Sequence, residues 1–61
     1  MVLTDIDGIQ FELDPEMIRE MHRLKAKRAE CTEVLTIMED RLLVKETPAQ
    51  IMGKIIEEAA R

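Results

Sequence analysis

Apolar and polar positions alternate over residues 9–13, with the apolar side chains at Ile9, Phe11 and Leu13. A period of two is typical of a strand that is buried on one face. Residues 2–6 are short and rich in β-branched side chains, and Asp7-Gly8 between the two segments is a strong signal for a tight turn. The pattern predicts a β-hairpin made of residues 2–6 and 9–13.

A second pair of apolar segments, Glu33–Met38 and Arg41–Lys45, flanks Glu39-Asp40. Both segments are short enough for strands, and the two residues between them are polar. We therefore predict a second hairpin, although its turn lacks the glycine that a two-residue loop prefers.

The C-terminal segment has a clear helix start. Thr47 can act as the N-cap, Pro48 occupies the first helical position, and Gln50 completes a capping box. Apolar residues then recur with helical spacing and predict one apolar stripe: Ile51, Ile55 and Ala59, with Met52 and Ile56 beside them.

Gly53 lies inside this predicted helix, where glycine costs about 1 kcal/mol relative to alanine. Two interpretations are open. The helix comes close to the sheet at Gly53, or the glycine is simply tolerated.

The middle of the chain, residues 15–30, has two competing interpretations. Asp14 can cap a helix that starts at Pro15, and Met17, Met21 and Leu24 would share one face of that helix. As a strand, the same segment alternates poorly. Local reasoning favours a helix here.

The length of 61 residues predicts a single domain, residues 1–61, which is marginally stable alone. Small domains usually need disulfides, a metal or oligomerisation. Cys31 is the only cysteine, so no disulfide forms within the chain, and Cys31 with His22 are too few soft ligands for a structural zinc site. We therefore expect no metal site and a homo-oligomer.

The net charge of −4 argues against nucleic-acid binding, which usually needs a basic surface. No basic-then-apolar leader starts the sequence, and no apolar stretch approaches the roughly 20 residues of a transmembrane helix. We expect a cytoplasmic protein without membrane insertion.

Three stretches, read in order, resemble the FlbD family of small bacterial flagellar and swarming-motility proteins, which has relatives in phages. LTDIDGIQFELDPEMI resembles the family's opening hairpin, which is followed by Asp-Pro and an apolar pair. VLTI is similar to its central strand. LLVKETPAQIMGKIIE resembles its last strand and C-terminal helix. The chain departs from the family in a longer link, around HRLKAKRAEC, and in Glu39-Asp40 at the second turn.

The resemblance implies an α+β fold: a small antiparallel sheet of about five strands, partly rolled, with one C-terminal helix. For the middle of the chain, the resemblance favours a strand from about Arg19 to Ala26, an exposed basic tip at Lys27–Arg28 and a return strand that begins at Thr32. The alternative is a ββαββα fold with a central helix from about residue 15 to 29.

One cluster of basic residues is a candidate site for an anion or a partner: Arg19, Arg23, Lys25, Lys27 and Arg28. It is either a solvated face or an anion site, since guanidinium groups bind phosphates in a bidentate manner. His22 fits a surface or structural role better than catalysis, and Cys31 fits a small buried or interface side chain better than a reactive thiol.

No nucleophile–base pair or metal-ligand set is present, so we expect neither an enzyme nor a cofactor. The resemblance implies a non-enzymatic interaction protein of FlbD type, whose partners are its own copies and an unidentified protein. The alternative is a phage or bacterial ligand-binding module that sequesters a nucleotide or another anionic signalling molecule through the Arg19–Arg28 stretch.

Overall fold

The computed structural model describes residues 1–26 and 29–60, which form five strands and one helix. A single turn of 3₁₀ helix, Pro15–Met17, lies between the second and third strands. The predicted α+β class with a C-terminal helix is confirmed. The elements are β1 (Val2–Thr4), β2 (Gln10–Glu12), β3 (Ile18–Ala26), β4 (Ala29–Thr36), β5 (Arg41–Val44) and α1 (Pro48–Ala59).

The strands form two antiparallel sheets, β1-β2 and β3-β4-β5. One bridge between Asp5 and Val44 joins β1 to β5, and the Lys45 N–H donates to the Thr4 carbonyl at 2.8 Å beside it. The strands therefore follow one another in the order β2-β1-β5-β4-β3. Within the described residues, β2 and β3 are the outermost strands of this arrangement.

The alternative central helix over residues 15–29 is wrong. Asp14 does cap a helix, and its Oδ1 accepts the Glu16 N–H at 3.0 Å, but that helix is the single 3₁₀ turn. β3 follows at once and pairs with β4, which supplies the backbone hydrogen bonds that a longer helix would have made locally. The predicted strand is confirmed.

Two details of the middle segment differ from expectation. The return strand begins at Ala29 rather than at Thr32, so the two strands pair further than predicted. A register shift between Ile18 and Glu20 interrupts the alternation of β3, which explains its weak strand pattern. The predicted basic tip, Lys27–Arg28, lies outside the described residues.

The β3–β4 hairpin is longer than the strand beside it. β5 pairs only with Thr32–Leu35 of β4. Residues 24–26 and 29–31 therefore pair with each other and with no third strand.

The core lies between the two sheets and the helix. Leu3, Val34, Val44 and Ile51 have no exposed surface, and Met1 is 8% exposed. Partly buried side chains surround them: Phe11, Leu13, Ile18, Met21, Leu42 and Ile55. A core of this size is small, in line with the marginal stability expected of a short chain.

The start of α1 is confirmed. The Thr47 side chain accepts the Gln50 N–H at 3.1 Å, and the Gln50 side chain accepts the Thr47 N–H at 2.9 Å. The predicted stripe is only partly buried, because Ile51 and Ile55 contact the core whereas Ala59 is exposed. A Cβ added at Gly53 would meet nothing within 4 Å, so of the two interpretations the close approach to the sheet is wrong and the glycine is simply tolerated.

Glu46 fastens β1 to the corner between β5 and α1. Its Oε1 accepts the Thr4 N–H at 2.8 Å, and its carbonyl accepts the hydroxyl of buried Thr32 at 2.6 Å. Partial burial raises the pKa of the Glu46 carboxyl. Hydrogen bonds from Thr4 and from the Glu46 N–H, together with the charge of Lys54, outweigh burial and lower the pKa overall.

Candidate interaction surfaces

The β1–β2 turn is built around the Asp5 carboxylate. Its Oδ1 accepts the N–H groups of Asp7 and Ile9, both at 2.9 Å, and the Gly8 N–H donates to the Asp5 carbonyl at 3.0 Å. Gly8 has a φ of 87°, a conformation that glycine adopts without strain. The hairpin is confirmed, but the predicted two-residue loop is wrong, because Asp5 holds three residues, 6–8, in the turn.

The β4–β5 turn has the same hydrogen bonds. The Thr36 hydroxyl accepts the N–H groups of Met38 and Asp40 at 3.2 and 3.0 Å, and the Glu39 N–H donates to the Thr36 carbonyl at 3.0 Å. Glu39 has a φ of 65° and takes the place of the glycine. The second hairpin is confirmed, again with a longer turn than predicted.

An apolar groove lies between the first turn and β5. Its volume is about 440 Å³. Ile6 and Ile9, which the turn presents at its two ends, are 50% and 63% exposed. The lining consists of apolar side chains with two carboxylates and one guanidinium: Ile6, Ile9, Phe11, Leu42, Leu43, Asp5, Asp7 and Arg41. Such a groove suits a partner with an apolar side chain.

The side of α1 that faces away from the core is also apolar. Met52 and Ile56, four positions apart, are 46% and 64% exposed. Exposed small residues lie around the same side of the helix: Ala49, Gly53, Ala59 and Ala60. With 3.6 residues per turn these residues form one continuous strip, and we call it the outer helix face.

Two of the described residues of the basic stretch lie on the same face of the β3–β4 hairpin. Arg23 pairs in register with Thr32, and Lys25 with Glu30, so both side chains share the face of the buried Thr32. Arg19 lies beyond the register shift, beside Glu20.

Arg23 is also neutralised by a carboxylate. Its Nη2 lies 2.6 Å from the Glu30 Oε2. The structure does not describe the side chains of Lys27 and Arg28. The small groove that Arg23 lines contains neither of the other two described cations of the basic stretch, Arg19 and Lys25.

His22 and Cys31 lie on the opposite face of this hairpin from Arg23. His22 Nε2 is 3.2 Å from a Glu20 carboxylate oxygen on an exposed surface. Cys31 is half-buried and pairs in register with Leu24. On the next strand, Arg41 forms an ion pair with Glu33. The exposed position of His22 and the partial burial of Cys31 fit the structural interpretation of both residues.

Within residues 1–26 and 29–60, no three acidic, His or Cys side chains come together in a way that could hold a metal ion. The same part of the chain contains no helix that is both long enough and apolar enough to cross a membrane.

Sequence reasoning missed both the groove and the outer helix face. The signal for the helix face was present: Met52 and Ile56 lie beside the Ile51–Ile55 stripe, and together they make the helix apolar over more of its circumference than one core contact needs. The sequence contains no comparable signal for the groove, because the groove depends on how β1 and β5 lie beside each other in the fold.

Comparison with protein-family models, with curated proteins and with solved structures finds no match to this chain.

Proposed function

We propose that this protein is a small, non-enzymatic interaction protein of FlbD type, a cytoplasmic motility factor that acts through protein contacts as a homo-oligomer. The proposal rests on the order of resembling motifs along the chain, and the five-strand, one-helix architecture is compatible with it. In this proposal the two sheets, linked at Asp5 and Val44, act as one partly rolled sheet closed by α1.

The observation that carries the proposal is the amount of apolar surface left exposed. Among residues 1–26 and 29–60, seven large apolar side chains are exposed, whereas the buried apolar core contains five residues. Single exposed apolar residues are ordinary, whereas continuous apolar patches mark interaction sites. Here the exposed residues include the continuous outer helix face and the edge of the groove.

Burial of these exposed apolar residues at an interface would add stability that the isolated domain lacks. Each Å² of apolar surface removed from water contributes roughly 25 cal/mol, so a few hundred Å² at an interface is comparable with the whole stability of a small domain. Association and stability would then be coupled. The geometry favours this function over anion sequestration, because Arg23 is already paired with Glu30 and the groove that Arg23 lines contains neither Arg19 nor Lys25.

The proposal is tested on the whole chain in two measurements. Light scattering after size exclusion should give a mass that is a multiple of 7.1 kDa at micromolar concentration. Expression in a motile bacterium that lacks its own FlbD-family protein should restore swarming. The proposal fails if the protein is a stable monomer, or if it is expressed and folded but does not restore swarming.

Matched variants connect swarming to the exposed apolar surface. Ile9→Ser removes an apolar side chain from the groove, and Ile56→Ser removes one from the outer helix face. Lys45→Ser is the control, because it changes an exposed polar residue. At least one of the two apolar variants should lose swarming through loss of a partner contact, whereas the control should retain it. If both apolar variants behave like the control, these surfaces are not the ones used.

A further inference from the structure

Two strands of the described fold each have one backbone edge without a partner strand. β2 pairs only with β1, and β3 pairs only with β4, within residues 1–26 and 29–60. An unpaired edge presents a row of N–H and C=O groups that can pair with another strand. β3 is nine residues long, so its free edge is long for so small a domain.

The two edges carry opposite charge. Residues 1–18 have five carboxylates and no Lys or Arg, and one of the five, Glu12, belongs to β2 itself. β3 has three cations and one carboxylate, namely Arg19, Arg23 and Lys25 against Glu20. The sequence thus concentrates negative charge around one free edge and positive charge along the other.

These charges are not paired with each other inside one copy of the chain. In the described part of the structure, none of the five carboxylates in residues 1–18 forms an ion pair with Lys or Arg, and Glu12 instead contacts the Met1 α-amino group at 2.8 Å. Arg19 and Lys25 are exposed and form no ion pair there. Arg19 and Lys25 on β3, and the exposed carboxylates in the segments that flank β2, are therefore available to an external strand.

We propose that the partner of each edge is a second copy of this chain, bound head to tail, so that the β2 edge of one copy pairs with the β3 edge of the next. Backbone hydrogen bonds would provide affinity, and the opposite charges would select unlike edges. Half-buried Leu13 and Met21, which contact the core next to the two edges, would extend the apolar core across the contact.

The charge distribution selects this arrangement over a two-fold dimer. In a two-fold contact each edge would meet its own equivalent, carboxylates against carboxylates or cations against cations, and like charges on paired strands are destabilising. In the head-to-tail contact every copy uses both edges. Such a contact produces a closed ring if the rotation between copies closes, and a filament otherwise.

The inference rests on the homo-oligomer of the proposed function and names its interface. The test uses two charge variants of the whole chain. In the first, Arg19→Glu with Lys25→Glu makes both edges acidic. In the second, Gln10→Lys with Glu12→Lys makes the strand β2 itself basic, like β3. Each variant alone should have a dissociation constant at least about tenfold above that of the unaltered protein.

The decisive sample is the equal mixture of the two variants. Acidic edges of one variant now meet basic edges of the other, so the mixture should recover an oligomer in which the two variants alternate, visible by native mass spectrometry. Lys45→Glu is the control for a charge reversal outside the strands β2 and β3 and should assemble normally. Circular dichroism should confirm that each variant folds, and hydrogen exchange should show added protection of β2 and β3 amides in the unaltered oligomer.

The outcomes separate the two proposals. A monomeric unaltered protein overturns both. An oligomer whose mass is unchanged in the two charge variants, or whose β2 and β3 amides gain no protection, overturns this interface and leaves the oligomer itself standing. Loss of assembly in each variant without recovery in the mixture also contradicts head-to-tail pairing.

Discussion

Gly8 and Glu39 occupy the same position in two turns with the same hydrogen bonds, and both have a positive φ, 87° and 65°. Asp5 and Thr36 lie three residues before them and have the same role, each accepting two backbone N–H groups. One turn thus has the residue that this conformation favours, and the other has a side chain that pays a steric cost.

Replacing Glu39 by glycine should therefore stabilise the protein by about 1 kcal/mol, because it relieves left-handed strain at an exposed residue. Glu39→Ala is the control, since alanine keeps the Cβ and should change stability little. Urea unfolding checks both variants. Equal stability of the glycine and alanine variants would show that Glu39 is not strained.

Gly8→Ala should have the opposite effect and destabilise the protein by about 1–2 kcal/mol. The cost is one of backbone conformation, because the nearest atom to an added Cβ is the Lys45 Nζ at 4.0 Å. The same urea experiment measures it. A neutral result would mean that the turn can change its conformation without loss.

Ile51 and Ile56 are a matched pair on α1, one buried at 0% exposure and the other 64% exposed. Ile51→Ala should cost about 2–5 kcal/mol, enough to leave the chain largely unfolded. Ile56→Ala should change the stability of a monomer by less than about 1 kcal/mol. Thermal unfolding followed by circular dichroism at low concentration compares the two, and equal losses would contradict the assigned orientation of the helix.

Gly53→Ala should stabilise α1 by about 1 kcal/mol, because alanine has the higher helix propensity and the added Cβ meets nothing within 4 Å. The midpoint of urea unfolding should rise without a change in slope. A fall instead would reveal a contact at Gly53 that one copy of the chain does not contain, such as an oligomer contact on the outer helix face.

Glu46 should make the protein less stable at acidic pH. Its pKa in the folded protein is lowered, so the folded state favours the carboxylate more than the unfolded state does. The resulting stabilisation is fully present above the pKa of the unfolded chain, near 4.3, and is lost as the pH falls through the lower pKa of the folded state. Urea midpoints from pH 7 to pH 2.5 should fall less steeply for Glu46→Gln than for the unaltered protein.

Local signals in the sequence predicted the elements where the chemistry is local. The capping box of Thr47 and Gln50 and the turn glycine at Gly8 depend on neighbours within a few residues, and the structure has both. The predicted two-residue loops were wrong. In each turn a side chain, that of Asp5 or of Thr36, accepts backbone N–H groups and holds a loop of three residues before the next strand.

The middle of the chain shows what local reasoning cannot supply. Asp14-Pro15 starts a helix, yet the helix is one turn long, since pairing with β4 replaces it. The family resemblance predicted that strand correctly. The groove and the pairing of free edges depend on which strands are neighbours in space, and no local pattern encodes the bridge between Asp5 and Val44.

The bridge between Asp5 and Val44 also affects the order of events in folding. The three hairpins of the fold connect neighbours in sequence, whereas Asp5 and Val44 are 39 positions apart (44 − 5). Local contacts form cheaply, and closing a long loop costs entropy before it brings any stabilising contact. The joint between the two sheets should therefore form late in folding. Substitutions there, such as at Glu46, should accelerate unfolding, whereas substitutions in the hairpin turns should mainly slow folding.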